Sequence, residues 1–91
     1  MADRQVLLTN QFKRDIKKRY LDLVTPEWGE VFQCLTQRKP LPEKYCDHPL
    51  HGDKKGFRDC HVKPDLVLIY KINEQDIVEF HQLNTHSEIF G

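Results

Sequence analysis

Helical periodicity fills the first part of the chain, after a short apolar run. Residues 6–8 predict one short strand, and Asn10 is expected to cap the helix that follows. In that helix, apolar side chains recur every three or four positions and predict one buried stripe, formed by Phe12, Ile16, Tyr20 and Leu23. A second helix is predicted to begin at Thr25 and Pro26 and to end before Pro40, with Trp28, Val31, Phe32 and Leu35 on its apolar side.

The second part of the chain has the pattern of antiparallel strands. Strands are predicted at 57–62, 66–72 and 77–83, separated by polar or proline-containing turns. The nearly continuous apolar run at 66–72 indicates a central strand. The element order predicts an α+β fold, in which a short N-terminal strand joins a four-stranded, largely antiparallel sheet and two helices pack on one face of it.

Length and composition restrict the class of protein. A chain of 91 residues predicts a single domain covering 1–91. Hydrophobic residues make up 38% and charged residues 31%, which excludes intrinsic disorder. No apolar run approaches the roughly 20 residues needed to cross a bilayer, and Asp3 and Arg4 leave no room for a signal peptide. We therefore expect a cytoplasmic domain with no membrane association.

The formal net charge is zero, but the charges are grouped in blocks. Residues 1–24 and 38–63 are net basic, whereas 25–37 and 64–91 are net acidic. Two basic blocks can form a local positive patch that attracts a phosphate backbone, although an ordinary solvated surface would have the same counts.

Histidines are the main candidates for chemistry. All five lie after residue 47. Asp59 and His61 are two apart in a predicted strand and should share a face, and Asp65 at the start of the next strand is within reach of His61. Imidazoles beside carboxylates could form an acid–base site at neutral pH. The alternative is that these side chains are structural or exposed, and spacing alone leaves both interpretations open.

Zinc binding is a further alternative. Cys46, Asp47, His48, His51, Cys60 and His61 are zinc-type ligands. However, adjacent Cys60 and His61 would point to opposite faces of a strand, and the paired ligand spacing of zinc sites is absent. The odd number of cysteines, which also include Cys34, favours reduced and mostly buried thiols.

A longer pattern resembles a known family. Residues 45–52, 55–65, 68–71 and 85–91 read YCDHPLHG, KGFRDCHVKPD, LIYK and THSEIFG. Together they resemble the YafQ family of type II toxins in the RelE/ParE superfamily, which implies a RelE-like, microbial ribonuclease-type fold. The resemblance implies a bacterial toxin that cleaves mRNA in the ribosomal A site without a metal or other cofactor. It also implies a cognate DinJ/RelB-like, ribbon-helix-helix antitoxin, with operator DNA bound only through that partner.

The resemblance also assigns roles to particular residues. The implied catalytic set is His48, His61, Asp65 and His86. In metal-independent RNA cleavage the 2′-OH attacks its own phosphate, so a base, an acid and phosphate-binding groups are needed. We assign the base to Asp65, the acid to His86 and phosphate binding to His48 and His61. The predicted contacts to substrate or phosphate are Lys54, Lys55, Arg58, Asp59, Gln82 and Phe90. The resemblance implies Asp59 and Phe90, and Phe90 either stacks on a base or packs on the core. Lys54, Lys55 or Arg58 could compensate for the missing charge at Gln82.

Basic residues on the first helix have two interpretations. They could dock ribosomal RNA or form a solvated face, and they are Lys13, Arg14, Lys17 and Lys18.

Two positions depart from the family pattern. Gln82 stands where many relatives have an arginine, and a glutamine cannot neutralise a phosphate. Leu66 stands where the name-giving member has a tryptophan. The alternative hypothesis is therefore a ParE-like or catalytically weakened toxin that acts by protein binding only. His51 and His81 match no family position and are interpreted as structural or surface residues.

Overall fold

The secondary structure follows the predicted order, with one additional strand and one additional helix. A computed structural model describes residues 2–91. Its elements are β1 (Val6–Leu8), α1 (Asn10–Arg19), α2 (Pro26–Thr36), β2 (His48–Pro49), β3 (Arg58–Lys63), β4 (Leu66–Ile72), β5 (Val78–Asn84) and α3 (His86–Phe90). Short 3₁₀ helices cover Tyr20–Val24, Glu43–Tyr45 and Gly52–Lys54. None of the helices within 2–91 has the length and apolar character needed to span a bilayer.

The five strands form one sheet in the order β1-β5-β4-β3-β2. Only β1 and β5 are parallel, so the α+β prediction is confirmed, while the predicted strand number of four is one too low. The additional strand is β2, which pairs with β3 through His48↔Asp59 and Pro49↔Arg58. Two residues are too few to show an alternating pattern, and proline is tolerated because β2 lies at the edge of the sheet.

The first helix begins differently from its prediction. Thr9, not Asn10, is the N-cap of α1, and its hydroxyl oxygen accepts a hydrogen bond from the Phe12 backbone N–H at 3.1 Å. The predicted Thr25 cap of α2 is confirmed by a bond from the Trp28 N–H at 3.4 Å. Because α1 ends at Arg19, Tyr20 falls outside the buried stripe and is 63% exposed.

The core lies between the helices and one face of the sheet. Phe80 of β5 is at its centre, with ring centroids 5.3 Å from Phe12, 5.5 Å from Trp28 and 6.1 Å from Phe32. Alternate residues of β3 and β4 also point into this core, namely Cys60, Val62, Leu66, Leu68 and Tyr70. The residues between them therefore point to the opposite face, which α1 and α2 do not cover and which we call the open face, although Val67 and Ile69 on it are buried.

Candidate active site

The strand register places the polar residues of three strands on the open face of the sheet. One row across this face is Asp59, Ile69 and Gln82, and the next is His61, Val67 and Asn84. Asp59, His61 and Gln82 therefore lie on the same side of the sheet, away from the helices.

His48 approaches Asp59 from the neighbouring strand. Its Nδ1 is 3.0 Å from Asp59 Oδ1 and 2.8 Å from the carbonyl oxygen of Cys46. A carbonyl oxygen only accepts hydrogen bonds, so Nδ1 carries the hydrogen that is donated to Cys46. In a neutral His48 the lone pair then lies on Nε2, and the side chain is 51% exposed. This nitrogen can therefore exchange a proton or contact a phosphate.

Asp59 is a buried carboxylate with an incomplete set of hydrogen bonds. The residue is 3% exposed, and Oδ1 has no hydrogen-bond partner within 2–91, because the single Nδ1 hydrogen of His48 is directed to Cys46. Asp15, also buried, instead accepts bonds from the Leu83 N–H and the Gln11 amide. Of these two buried carboxylates, Asp59 thus has fewer hydrogen bonds to offset the cost of its burial.

Three imidazoles act electrostatically on Asp59, and of these His48 is in direct contact with it. Burial raises the pKa of Asp59 above the ordinary value, whereas the charges of His48, His61 and His86 lower it. His86 reaches this cluster because it is the first residue of α3, which Thr85 caps by accepting the Glu88 N–H at 3.2 Å. Asp59 and the three histidines therefore form one electrostatic cluster, although the chain positions of its members extend from residue 48 to residue 86.

Replacing Asp59 with asparagine is expected to raise the free energy of unfolding at neutral pH, because the cost of burying a charged carboxylate is removed. The folded state holds the Asp59 proton more tightly than the unfolded chain, since burial raises the pKa of this carboxyl. Wild-type stability therefore falls as pH rises from the unfolded pKa through the raised folded pKa. Thermal unfolding across that pH range should show the largest difference in stability between Asp59→Asn and the wild type above the raised pKa. The difference should decrease as the pH falls.

Asp76→Asn is the control, with the opposite sign. Hydrogen bonds from Arg4 and Arg38 lower the pKa of Asp76. Its contribution to stability is therefore present above the unfolded pKa and is lost as pH falls through the folded pKa. An Asp59→Asn protein that is no more stable than wild type at neutral pH would contradict the interpretation of Asp59 as a strained buried charge.

Asp65 of the predicted catalytic set and Phe90, a predicted substrate contact, are both exposed. Asp65 is exposed in the turn between β3 and β4, and its charge is not among those that act on Asp59. Phe90, at the end of α3, is 37% exposed, and its ring centroid is 4.8 Å from that of His86. Phe90 therefore contacts His86 and keeps part of its ring accessible.

A small cavity extends the open face toward the 3₁₀ helix at 52–54. It has a volume of about 150 Å³, and its walls include Lys54, Phe57, His81 and Gln82. The Lys71 ammonium lies 5.6 Å from the Phe57 ring centroid. Lys55, the neighbour of Lys54, is exposed in the loop before β3. Phe57 and Lys71 were not predicted as site residues, although Phe57 is two residues before Asp59 and Lys71 two residues after Ile69, a spacing that indicates the same face of the sheet.

Arg58 lies on the opposite face from Asp59, in contrast to its predicted contact with substrate. Its guanidinium donates to Asp47 at 2.9 and 3.3 Å, and the hydroxyl of Tyr70 donates to the same carboxylate. The physical reason is the alternation of side chains along a strand, since Arg58 and Asp59 are adjacent residues of β3. Arg58 is therefore engaged in an ion pair on the helix side of the sheet.

The other polar candidates lie outside the cluster. The basic side chains of α1 are exposed, namely Lys13, Arg14, Lys17 and Lys18. Within residues 2–91, no three His, Cys, Asp or Glu side chains are grouped as for a metal ion. The three cysteines are free; Cys60 is buried, Cys34 is half-buried, and Cys46 is exposed, contrary to the expectation of mostly buried thiols.

Comparison with known proteins identifies relatives over the full length of the chain. The family model described as "Bacterial toxin of type II toxin-antitoxin system, YafQ" matches residues 4–91. The putative toxin YafQ of Haemophilus influenzae is 42% identical, covering 92% of this chain and 89% of that protein. The mRNA interferase toxin YafQ of Escherichia coli strain K12 is 36% identical over the full length of both chains.

A solved structure agrees with these sequence matches. The crystal structure of the Escherichia coli DinJ-YafQ toxin-antitoxin complex contains a chain with a TM-score of 0.82 and 34% identity, covering 97% of this chain and 98% of that one. The fold and the site define an α+β protein with a histidine and carboxylate cluster on the open face of its sheet. With the family match over residues 4–91, the chain belongs to the YafQ family of bacterial toxins of type II toxin–antitoxin systems. The resemblance seen in the sequence is thereby confirmed.

Proposed function

We propose that this protein is an endoribonuclease, the toxin of a toxin–antitoxin system, which cleaves mRNA in the ribosomal A site and thereby inhibits translation. The observation that carries the proposal is the contact of His48 with the buried carboxylate of Asp59, on which the charges of His61 and His86 also act. The name of the Escherichia coli relative, mRNA interferase toxin, supports the same activity. The protein would act in the bacterial cytoplasm, where ribosomes are found.

The proposed chemistry uses the 2′-hydroxyl that distinguishes RNA from DNA. A base removes the proton of the 2′-OH, and the oxygen attacks the adjacent phosphorus. The bond to the departing 5′-oxygen breaks, an acid protonates that oxygen, and the products are a 2′,3′-cyclic phosphate and a 5′-OH. We assign the acid to His86 and the base to Asp65, and His48 and His61 bind the phosphate. His48 is the second candidate for the base, because its Nε2 is available in the neutral ring.

The ribosome has a positional role in this proposal. Correct alignment of the 2′-OH, the phosphate and the catalytic groups can contribute several kcal/mol. The exposed basic side chains of α1 are the proposed contact to ribosomal RNA, with the salt dependence expected of phosphate contacts. We therefore expect weak cleavage of free RNA and stronger cleavage of mRNA in a programmed ribosome.

The proposed partner is a DinJ-like antitoxin of the ribbon-helix-helix class, because a relative with 34% identity was crystallised as the DinJ-YafQ complex. Operator DNA would be bound through the antitoxin. A second candidate function, a toxin that acts only by protein binding, is favoured by Gln82, since an amide cannot neutralise phosphate charge.

Incubation of the purified protein with programmed ribosomes separates the two functions. The endoribonuclease predicts new mRNA ends within the A-site codon, with a 5′-OH on the downstream fragment, detected by primer extension. The same mRNA without ribosomes should be cleaved at least about tenfold more slowly, because the alignment supplied by the ribosome is lost. The absence of new ends at every protein concentration would refute the endoribonuclease and favour binding alone.

A further inference from the structure

Asp47 holds the segment that carries His48 against the sheet. Its carboxylate accepts two hydrogen bonds from Arg58, at 2.9 and 3.3 Å, and a third from the Tyr70 hydroxyl. Tyr70 is 2% exposed and belongs to the hydrophobic core. Burial and the neighbouring Asp47 raise the pKa of this tyrosine, so its hydroxyl keeps its proton. The Asp47 carboxylate is therefore hydrogen-bonded to a residue of the hydrophobic core.

Asp47 and His48 lie on opposite sides of the sheet edge. Asp47 pairs with Arg58 on the helix side, while His48 pairs with Asp59 on the open side. Both contacts join adjacent residues of one segment to adjacent residues of β3. The preceding residue, Cys46, has a φ of 51°, and its carbonyl oxygen accepts the hydrogen of His48 Nδ1. The segment thus crosses the edge of β3 in one defined conformation.

Backbone pairing alone provides little support for this conformation. β2 has only two residues, and its register contains only two pairs. The side chain of His48 is 51% exposed, so packing does not hold the ring in place. The hydrogen bonds to Asp47 connect the residue before His48 to the core, in addition to the contacts of His48 with Asp59 and Cys46. Their loss should allow the imidazole to move relative to Asp59.

We propose that Asp47 is a positioning residue that acts through His48: held by Arg58 and Tyr70, it sets the place of the imidazole beside Asp59. The consequence for catalysis rests on the proposed ribonuclease function, whereas the consequence for the His48 ring does not. Arg58 then contributes by holding Asp47, at a distance from the substrate, in agreement with its location on the helix side of the sheet.

The test measures cleavage by Asp47→Asn on programmed ribosomes under single-turnover conditions. We expect the maximal rate to fall by about tenfold to a hundredfold, with the half-saturating ribosome concentration unchanged, because misplacement by a fraction of an ångström costs rate rather than binding. Asp76→Asn is the matched control, since it removes a carboxylate that also pairs with arginine but is remote from His48. It should cleave at the wild-type rate below its melting temperature.

A double-mutant comparison separates positioning from general loss of structure. In a His48→Ala background, Asp47→Asn should cause no further loss of rate, whereas an equal loss in both backgrounds would overturn the proposal. If Asp47→Asn does not fold, Tyr70→Phe is the variant to use instead. It removes one hydrogen-bond donor to Asp47 but keeps the ring, and it should lower the cleavage rate by a smaller factor.

An imidazole ¹⁵N spectrum is independent of activity. His48 should show one fixed Nδ1–H tautomer in the wild type and an averaged signal in Asp47→Asn. An unchanged His48 signal in the variant would overturn the proposal. If the wild type does not cleave mRNA but the His48 signal responds as expected, the ribonuclease function fails and the positioning of His48 by Asp47 stands.

Discussion

Replacement of His86 by alanine is expected to lower the rate of mRNA cleavage on programmed ribosomes by about 10²- to 10⁴-fold. His86 is the proposed acid, and without it the departing 5′-oxygen would leave without a proton. The side chain is exposed at the start of α3, so its removal should leave the fold intact. Primer extension on the ribosome-bound mRNA measures the rate, and thermal unfolding of the same preparation measures the stability.

His51→Ala is the matched control for this experiment. His51 is also an exposed histidine, but it precedes the 3₁₀ helix at 52–54 and is not among the imidazoles that act on Asp59. It should cleave at the wild-type rate. A stable His86→Ala protein with undiminished cleavage would falsify the assignment of His86 as the acid. Equal losses of cleavage rate in His86→Ala and His51→Ala would indicate a general effect of removing a histidine instead of a specific role of His86.

Truncation of Phe80 to alanine is expected to have the largest effect on stability. Its ring is 1% exposed and contacts the aromatic rings of Phe12, Trp28 and Phe32. Replacing a buried phenylalanine by alanine costs about 3–5 kcal/mol, because apolar contact is lost and a cavity remains. For a domain of this size the melting temperature should fall by about 12 °C or more. Thermal unfolding followed by circular dichroism provides the measurement.

The control for Phe80 is an aromatic residue outside the core. Tyr20 is 63% exposed, so Tyr20→Ala should change the stability by less than about 0.5 kcal/mol. If Phe80→Ala unfolds at the same temperature as Tyr20→Ala, the aromatic cluster does not hold the helices on the sheet. A native-like Phe80→Ala protein with retained cleavage would further indicate that the site does not depend on this packing.

Local sequence signals predicted the elements that depend on near neighbours. Thr25 and Pro26 mark the start of α2, because a cap requires only residues within one helical turn. The nearly continuous apolar run at 66–72 gave the correct bounds of β4, since residues 66–70 are all buried and Lys71 alone interrupts the run with a charge. The one-residue difference between Asn10 and Thr9 at the start of α1 arises because both residue types can cap a helix.

Predictions failed or were incomplete where a feature depends on a partner distant in the chain. β2 is defined by its pairing with β3, and no periodic pattern in two residues can reveal it. The side of the sheet on which Arg58 lies follows from strand alternation, but its partner, Asp47, is known only once the edge strand is in place. The contact between Phe57 and Lys71 was missed because it joins the residue before β3 to a residue of β4.

For this protein, the sequence by itself determined the α+β class, both long helices, the central strand and the set of histidines from which a site could be built. Only the tertiary structure decided that the charges of His48, His61 and His86 act on Asp59 and that Oδ1 of this carboxylate has no hydrogen-bond partner within residues 2–91. It also decided that Asp47 binds Arg58 on the other face of the sheet. The physical reason is the separation along the chain of the residues on which each feature depends. Helix capping and strand burial involve residues that are close along the chain, whereas the charge and solvation of a site depend on residues that only folding brings together.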